Sequence, residues 1–227
     1  MSYLGPFTGQ YREPMVATWV QESRDRSVEL SEECSLIQTL GDPIEIRRWG
    51  IDGLPSDQVS TENAIFTTKS QRWPMLIDPQ FQANAWIKKM YRDHGSSDSS
   101  FVVSKISSAK DAPPSSGKAP NSFAAVLENA VRNGCTMLLE DMPEDIDPSI
   151  EAIVSKQIYR ADGVLKINLG DLAVDYHRDF KLLLTTKLAN PHFLPEVSIK
   201  VAVINFTVTF DGLEDQLLAE AVKNLEP

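Results

Sequence analysis

The feature that most constrains the fold of this chain is an alternation of apolar strand, loop and helix that begins at Trp73. The strand WPMLID runs into the loop DPQFQANA and then into a helical pattern that reaches Met90. Further strands are predicted at 101–106, 135–141, 180–186 and 201–209, with helices at 123–131 and 146–158. Strands and helices that alternate in this way are typical of parallel α/β sheets. The sequence therefore predicts a sheet of about five parallel strands that is flanked by helices.

Three segments depart from this alternation. The runs GVLKINLG and DLAVDYH have period two on either side of Gly170 and Asp171, which predicts a β-hairpin inserted before the fourth strand. Residues 36–66 contain turn signals and short strand-like pieces, so we expect them to wrap the surface of the core. Residues 94–120 are dense in Ser, Pro, Gly and Lys, which predicts a solvated, mobile loop.

Both ends of the chain are predicted to be helical. Residues 1–30 should hold an N-terminal helix, disturbed at Pro14, because four large apolar residues follow one another at steps of four: Phe7, Tyr11, Met15 and Trp19. Residues 31–211 would form the α/β domain, and residues 212–227 have leucines at helical spacing. Because this pattern runs to Pro227 without a capping glycine, we expect the chain to be part of a longer protein.

Composition excludes several classes of function. The net charge is −10, with 22 Lys and Arg against 32 Asp and Glu, and no basic cluster suited to nucleic acid is present. No apolar run approaches the roughly 20 residues that cross a bilayer, so no membrane partner is predicted. Cys34 and Cys135 are far apart and lack CxxC spacing, which indicates neither a disulfide framework nor a zinc site and fits a reducing compartment.

The loop after the first strand stands where a phosphate-binding P-loop would stand. A P-loop reads GxxxxGK[ST], since glycines let backbone N–H groups approach the phosphates and the lysine reaches their outer oxygens. The corresponding residues are Asp78, Pro79, Gln80, Phe81, Gln82, Ala83, Asn84 and Ala85. Asp78 and Ala83 replace the glycines, Asn84 the lysine and Ala85 the hydroxyl that would bind magnesium. This vestigial loop predicts no bound nucleotide, metal ion or other cofactor.

Two other strand ends carry polar residues of interest. Glu140 and Asp141 end the third strand, in the position of the Walker B acids that hold magnesium and orient the attacking water. Without the P-loop lysine, these acids are expected to cap the following turn or to pair with a neighbouring arginine. Asn190 follows the fourth strand, where a polar sensor of the γ-phosphate would lie, and is expected to belong to a turn.

Histidines and tryptophans give little evidence of a further site. His94, His177 and His192 are scattered and predict neither a metal centre nor a catalytic pair. The tryptophans near strand and helix starts are interpreted as core anchors rather than a stacking platform for a ligand: Trp49, Trp73 and Trp86. No catalytic residue is predicted for this chain.

The chain resembles dynein heavy chains of the axonemal type, in the fifth AAA+ module of their motor ring. The resemblance rests on the blocks YLGPFTGQYR, LGDPIEIRRWGIDGLPSD, RWPMLIDPQFQANAWIK, LLED, LLTTKLANPHFLPEVSIKVAVINFTVT and GLEDQLLAEAV. These blocks follow the family's order and cover nearly the whole chain apart from the 94–120 loop.

This resemblance implies a fold, a function and partners. It implies the large subdomain of an AAA+ module with an inactive P-loop, which works as a structural part, followed by the start of a strut helix at 212–227. The implied partners are neighbouring AAA+ modules, the strut, stalk and linker, and, through the whole heavy chain, intermediate and light chains and microtubules. ATP and magnesium would belong to other modules, and the implied location is the cytoskeleton of the ciliary or flagellar axoneme. AAA+ modules often lend an arginine to the neighbouring site, but the matching region offers Lys200 and no arginine.

Two alternatives remain open on the sequence. An active AAA+ ATPase of another lineage would use Glu140 and Asp141 and would need a cation from outside the loop, with three candidates: Arg72, Lys88 and Lys89. A free-standing interaction adaptor could have inherited the fold without the motor, and a gene that lacks flanking modules would favour it.

Overall fold

A five-stranded parallel sheet forms the centre of the chain, as the alternation of strand and helix predicts. The computed structural model describes residues 3–30, 35–93, 101–106, 122–208 and 210–225. Strands are numbered along the chain, and three of them, β4 to β6, belong to a second sheet. The strands of the central sheet are β1 (Trp73–Ile77), β2 (Phe101–Lys105), β3 (Thr136–Glu140), β7 (Lys181–Thr186) and β8 (Val201–Asn205). Their order in space is β2-β3-β7-β1-β8, and every pairing is parallel. The predicted α/β class is confirmed.

Both faces of the sheet are buried, which explains why its strands are continuous apolar runs. Met75, Leu139 and Leu184 face one hydrophobic layer, whereas their neighbours Leu76 and Leu138 face the other. Each of these side chains is fully buried. Helices therefore have to cover both faces of the sheet.

Nine helices are present in the described part of the chain. They are α1 (Gly9–Asp25), α2 (Leu36–Leu40), α3 (Pro43–Ile51), α4 (Gln58–Lys69), α5 (Gln82–Asp93), α6 (Phe123–Asn133), α7 (Pro148–Val154), α8 (Pro195–Lys200) and α9 (Phe210–Leu225). The strand-like pieces predicted within 36–66 are wrong, since this segment forms α2, α3 and α4. Its turn signals are helix starts, because the side chains of Ser35, Asp42 and Asp57 each accept a hydrogen bond from a backbone N–H of the first turn.

The predicted β-hairpin is part of a second sheet of three antiparallel strands. Its strands are β4 (Ile158–Ala161), β5 (Val164–Leu169) and β6 (Leu172–Asp175), in the order β4-β5-β6. Gly170 lies between β5 and β6 with φ 60°, a left-handed conformation that glycine adopts without strain. The helix predicted at 146–158 is shorter, because α7 ends at Val154 and the chain turns through Lys156, at φ 50°, into β4. Strand β4 was not predicted, because its two central residues, Tyr159 and Arg160, are both exposed and the segment lacks the period-two alternation of a strand.

The N-terminal helix is confirmed, but most of its apolar row is exposed. Tyr11 and Trp19 are 65% and 44% exposed, whereas Arg12 on the same helix is only 3% exposed. The Arg12 guanidinium donates to the carbonyl oxygens of Leu4, Gly5 and Phe7 and to Asn63 Oδ1 on α4, and it pairs with Glu62. A buried polar contact thus holds this end against α4, and Met15 of the apolar row packs against the core beside it.

Most of the loop predicted at 94–120 lies outside the described residues. Within it, the structure describes only residues 101–106, which form β2 and the residue after it. The helical pattern near the C-terminus is confirmed by α9, in which Leu213, Leu217 and Leu218 are exposed. The division of the chain at residues 30 and 211 stays a prediction.

Candidate functional site

The vestigial P-loop joins the carboxyl end of β1 to the first turn of α5. Asp78 follows β1, and its backbone N–H donates to the Thr186 carbonyl oxygen at the end of β7, at 2.9 Å. Phe81 has φ 62°, a left-handed backbone that reverses the chain into α5. Gln80, Phe81 and Ala85 are exposed, whereas Ala83 and Asn84 are buried. The geometry of strand, loop and helix predicted for a P-loop is therefore present.

The carboxylate of Asp78 occupies the N-terminus of α5. Its Oδ1 accepts the backbone N–H of Gln82 at 2.9 Å, and its Oδ2 accepts the backbone N–H of Asn84 at 2.8 Å. The residue is 2% exposed. Burial raises the pKa of Asp78, although the backbone N–H groups of Gln82, Asn84, Phe81 and Ala83 act in the opposite direction. Helix N-termini bind phosphates through these same N–H groups, so the protein's own carboxylate takes the place of the anion.

Asn84, which replaces the P-loop lysine, turns towards the third strand. Its Nδ2 donates to Glu140 Oε1 at 2.7 Å, and Lys88 Nζ, one helical turn later on α5, lies 2.5 Å from the same oxygen. Burial acts to raise the pKa of Glu140, but the hydrogen bonds from Lys88 and Asn84 and the positive charges of Lys88 and Lys105 lower it overall. Glu140 is thus an ionised carboxylate that is already neutralised by cations of this chain.

The second acid, Asp141, is held by cations from two other strand ends. Lys105 at the end of β2 and Lys187 directly after β7 approach its carboxylate at 2.9 Å and 2.7 Å. Burial acts to raise the pKa of Asp141, and the hydrogen bonds and charges of these two lysines hold it below its ordinary value. Lys187 also lies over the ring of Phe81, 4.8 Å from its centroid. This contact connects the acid pair back to the loop after β1.

Parallel register brings these groups to one edge of the sheet. Lys105 is paired with Glu140 across β2 and β3, and Ile77 is paired with Thr186 across β1 and β7. Thr186 Oγ1 donates to the Met142 carbonyl oxygen at 2.8 Å, which fixes the turn after Asp141. The result is one polar network in which two acids are surrounded by three lysines and an asparagine.

Residues 47–227 match the family described as the ATP-binding dynein motor region. The chain belongs to this dynein motor family. Over 227 residues it is 44% identical to human dynein axonemal heavy chain 6 and to human dynein axonemal heavy chain 1, and over 228 residues it is 41% identical to the 1-beta heavy chain of the flagellar inner arm I1 complex of Chlamydomonas reinhardtii. Each match covers 100% of this chain and 5% of the relative, so the chain spans about one twentieth of the length of these proteins.

Membership of the dynein motor family confirms the resemblance at the level of the motor region. The assignment to the fifth module stays a prediction, as does the absence of nucleotide, magnesium and other cofactors from this part of the motor. Glu140 and Asp141 form ion pairs, as one of their two predicted roles requires, but the partners are lysines and not the expected arginine.

The remaining predicted residues of this dynein motor chain lie away from the network. Asn190 is exposed between β7 and α8. Lys89 donates to the Ile51 carbonyl oxygen at 2.6 Å, and Arg72 lies before β1 at the opposite edge of the sheet. Lys200 pairs with Glu151 at 2.9 Å. Of the three cations proposed for an active site, only Lys88 contacts the acid pair.

Other candidate sites receive no support from the described residues of this motor chain. His177 and His192 are exposed and are not among the residues of the network, whereas His94 and Cys34 lie outside the described residues. Cys135 is buried before β3, where burial raises the pKa of its thiol. Within the described ranges no group of three or more His, Cys, Asp or Glu side chains is placed to hold a metal ion, and no helix is long and apolar enough to cross a membrane. The three tryptophans interpreted as core anchors are buried: Trp49, Trp73 and Trp86.

Sequence reasoning missed two members of the network. Lys105 and Lys187 each lie at or directly after the end of a predicted strand. In a parallel sheet such ends lie at one edge. The presence of cations and acids at several strand ends could therefore have predicted that these lysines contact Glu140 and Asp141. The strand order, which decides which ends are neighbours, was needed to use this signal.

Proposed function

We propose that this chain is a structural module that does not bind or hydrolyse ATP, namely the fifth AAA+ module in the ring of an axonemal dynein heavy chain. The observation that carries the proposal is the carboxylate of Asp78 at the N-terminus of α5, where a P-loop would place a phosphate. The module would pass conformational change between its neighbours in the ring, the strut and stalk, and the linker. Its relatives are named as axonemal and flagellar heavy chains, which supports a place in the cytoskeleton of cilia or flagella.

Electrostatics supports the loss of nucleotide binding. Two negative charges about 4 Å apart repel by about 4 kcal/mol at an effective dielectric constant near 20. That amount corresponds to a factor of roughly a thousand in a dissociation constant. In addition, Asn84 has no positive charge to offer a phosphate, and its amide is engaged by Glu140 at 2.7 Å.

The alternative of an active ATPase is disfavoured by the same network. Glu140 and Asp141 would have to release Lys88, Lys105 and Lys187 before they could hold magnesium or orient water. Glu140 is buried, so loss of its lysine partners would leave an uncompensated carboxylate in the protein interior, which is strongly unfavourable. A network that ties together the ends of β1, β2, β3, β7 and α5 is better suited to keeping this edge rigid under load. The adaptor alternative stays open, because it shares the same fold and the same filled site.

Transport along microtubules, ATP hydrolysis in other modules, and association with intermediate and light chains would be properties of the whole heavy chain. They are proposed here only for a protein of which this chain is one part. For this module, the proposed contribution is shape and stiffness rather than chemistry.

The test is nucleotide binding by the 227-residue chain. Calorimetry with ATP and magnesium at concentrations up to about 1 mM should give no binding heat, and ATP turnover should equal that of the variant E140Q. A thermal unfolding transition recorded on the same samples would establish that both proteins are folded. A dissociation constant in the micromolar range, or turnover that E140Q abolishes, would sink the proposal in favour of the active ATPase.

A further inference from the structure

A cavity of about 530 Å³ lies at the amino edge of the central sheet, opposite the vestigial P-loop. Its walls come from the starts of β1 and β7 and from the ends of α3, α4 and α5. Five cationic side chains line it, and together they are named the basic pocket here: Arg48, Lys69, Arg72, Lys156 and Lys181. Glu45 is the single acid among the lining residues.

This charge is unusual for the chain as a whole. The protein has 32 acidic against 22 basic side chains, yet the lining of the basic pocket has one against five. Three of the cations lie in or just after the last turn of a helix: Arg48, Lys69 and Lys156. A helix C-terminus provides only about half a negative charge, so the helix ends offset part of the excess and leave the basic pocket positive.

The protein itself neutralises little of this charge. Lys69 pairs with Glu45 at 2.8 Å. Arg72 donates to the carbonyl oxygens of Ser198 and Ile199, at 3.3 Å each. Lys156 lies 4.4 Å from the ring centroid of Trp73 and donates to a backbone carbonyl oxygen. Within the described ranges, Arg48, Lys156 and Lys181 form no ion pair, and all three are exposed.

The floor of the basic pocket is apolar. Trp49, Trp73 and Leu182 are buried side chains that line it, and Met90 is half-buried beside them. A charged rim around an apolar floor is the arrangement of protein interfaces, in which apolar anchors are buried at the centre and charges remain at the rim. Complementarity of charge then selects the partner and speeds its association.

We propose that the basic pocket docks an acidic polypeptide segment in which Asp or Glu side chains flank an apolar anchor. The anchor would lie on the tryptophan floor, and the carboxylates would face Arg48, Lys156 and Lys181. A polypeptide fits better than a compact anion because the lining combines an apolar floor with cations spread over several elements. The curated relatives are about twenty times longer than this chain, so ample polypeptide outside it is available in such proteins. The basic pocket and the vestigial P-loop lie at opposite edges of the sheet, so peptide binding does not depend on whether the loop binds nucleotide.

The test uses fluorescence anisotropy with two labelled peptides, EELEELEE and its uncharged counterpart QQLQQLQQ. The acidic peptide should bind the 227-residue chain with a dissociation constant below about 100 μM, a modest affinity typical of a small exposed contact. Binding should weaken as salt is raised, because the rim charges are exposed to solvent. The uncharged peptide should bind at least tenfold more weakly.

Arg47 and Arg48 provide a matched pair of variants. They are adjacent on α3 and both exposed, but only Arg48 lines the basic pocket. R48E should weaken binding at least fivefold, whereas R47E, with the same change of charge, should stay within twofold. K181E, from the opposite wall, should repeat the effect of R48E, and unfolding temperatures would show that all three variants fold.

Three results would overturn the proposal. The first is a dissociation constant above about 100 μM for the acidic peptide, or no saturable binding at all. The second is an equal loss of affinity in R47E and R48E, which would show a general charge effect. The third is binding of inorganic pyrophosphate that depends on Arg48 while the acidic peptide does not bind, which would make this a site for a small phosphorylated molecule.

Discussion

Replacement of Asp78 by alanine should destabilise the chain more than the loss of an ordinary helix cap. The carboxylate accepts two backbone N–H groups at 2.9 Å and 2.8 Å in a site that is 2% exposed. Each buried N–H that loses its partner costs about 1–3 kcal/mol. Relief of the buried charge offsets part of this cost, since burial raises the pKa of Asp78. The expected net loss is about 3 kcal/mol, or roughly 6–12 °C in Tm for a chain of this size.

Asp57 provides the matched control for this prediction. Its Oδ1 accepts one backbone N–H, from Ser60 at 2.9 Å, in a half-buried cap of α4. Loss of such a cap costs about 1 kcal/mol, which is roughly 2–4 °C in Tm. Urea unfolding at neutral pH, followed by circular dichroism, would compare D78A and D57A with the unchanged protein. If D78A costs no more than D57A, the idea that Asp78 fills a buried anion site is refuted.

Three further predictions follow from single contacts. Burial raises the pKa of Asp78, so the free energy of unfolding of the unchanged protein relative to D78N should be greatest below the ordinary carboxyl pKa near 4. It should fall as pH rises through the raised pKa. Urea unfolding over a pH series would test this, and a free-energy difference between the two proteins that grows with pH would contradict it. R12A should lower the free energy of unfolding by about 3–5 kcal/mol, because it removes a buried charge and its hydrogen bonds. R12K should recover little of this loss, because lysine lacks the planar fork of donors. Near-complete recovery in R12K would show that charge alone matters. G5A should destabilise the fold by about 1–3 kcal/mol, because its Cβ would lie 2.5 Å from the Val203 carbonyl oxygen. In α3, the Cβ of G50A would meet nothing within 4 Å, and this variant should stabilise the fold by about 0.5–1 kcal/mol. Melting temperatures of the two variants that move in the same direction would refute the contrast.

The site illustrates how far sequence reasoning reached. Asp78 and Asn84 stand where a glycine and the P-loop lysine would be, and this mismatch alone predicted the absence of a phosphate ligand. That Asp78 turns back onto the N–H groups of α5 depends on the left-handed backbone at Phe81, which no propensity of phenylalanine predicts. The partners of Glu140 and Asp141 depended on which strand ends are neighbours.

The errors in the fold have a similar cause. Residues 36–66 were predicted to carry strand-like pieces because Gly, Asp and Pro mark turns and helix starts equally well. Asp42 and Asp57 became helix caps because α3 and α4 could then pack beside the sheet. Arg12 is buried on an otherwise exposed helix because the carbonyl oxygens of Leu4, Gly5 and Phe7 converge on it, a coincidence that only the folded chain creates.

The alternation of strand and helix and the mismatch of the loop after β1 with a P-loop could both be read from the order of residues. Apolar runs of strand length need burial on both faces, and a loop without glycines and lysine cannot cradle phosphates in the usual way. The tertiary structure was needed to show that the Asp78 carboxylate binds the N-terminus of α5. The strand order brought Lys105 and Lys187 to the two acids at one edge, where α5 adds Lys88, and the packing of helices on the sheet formed the basic pocket at the other edge. Charges distant in sequence interact only when the sheet order makes them neighbours, and that order results from packing the whole core.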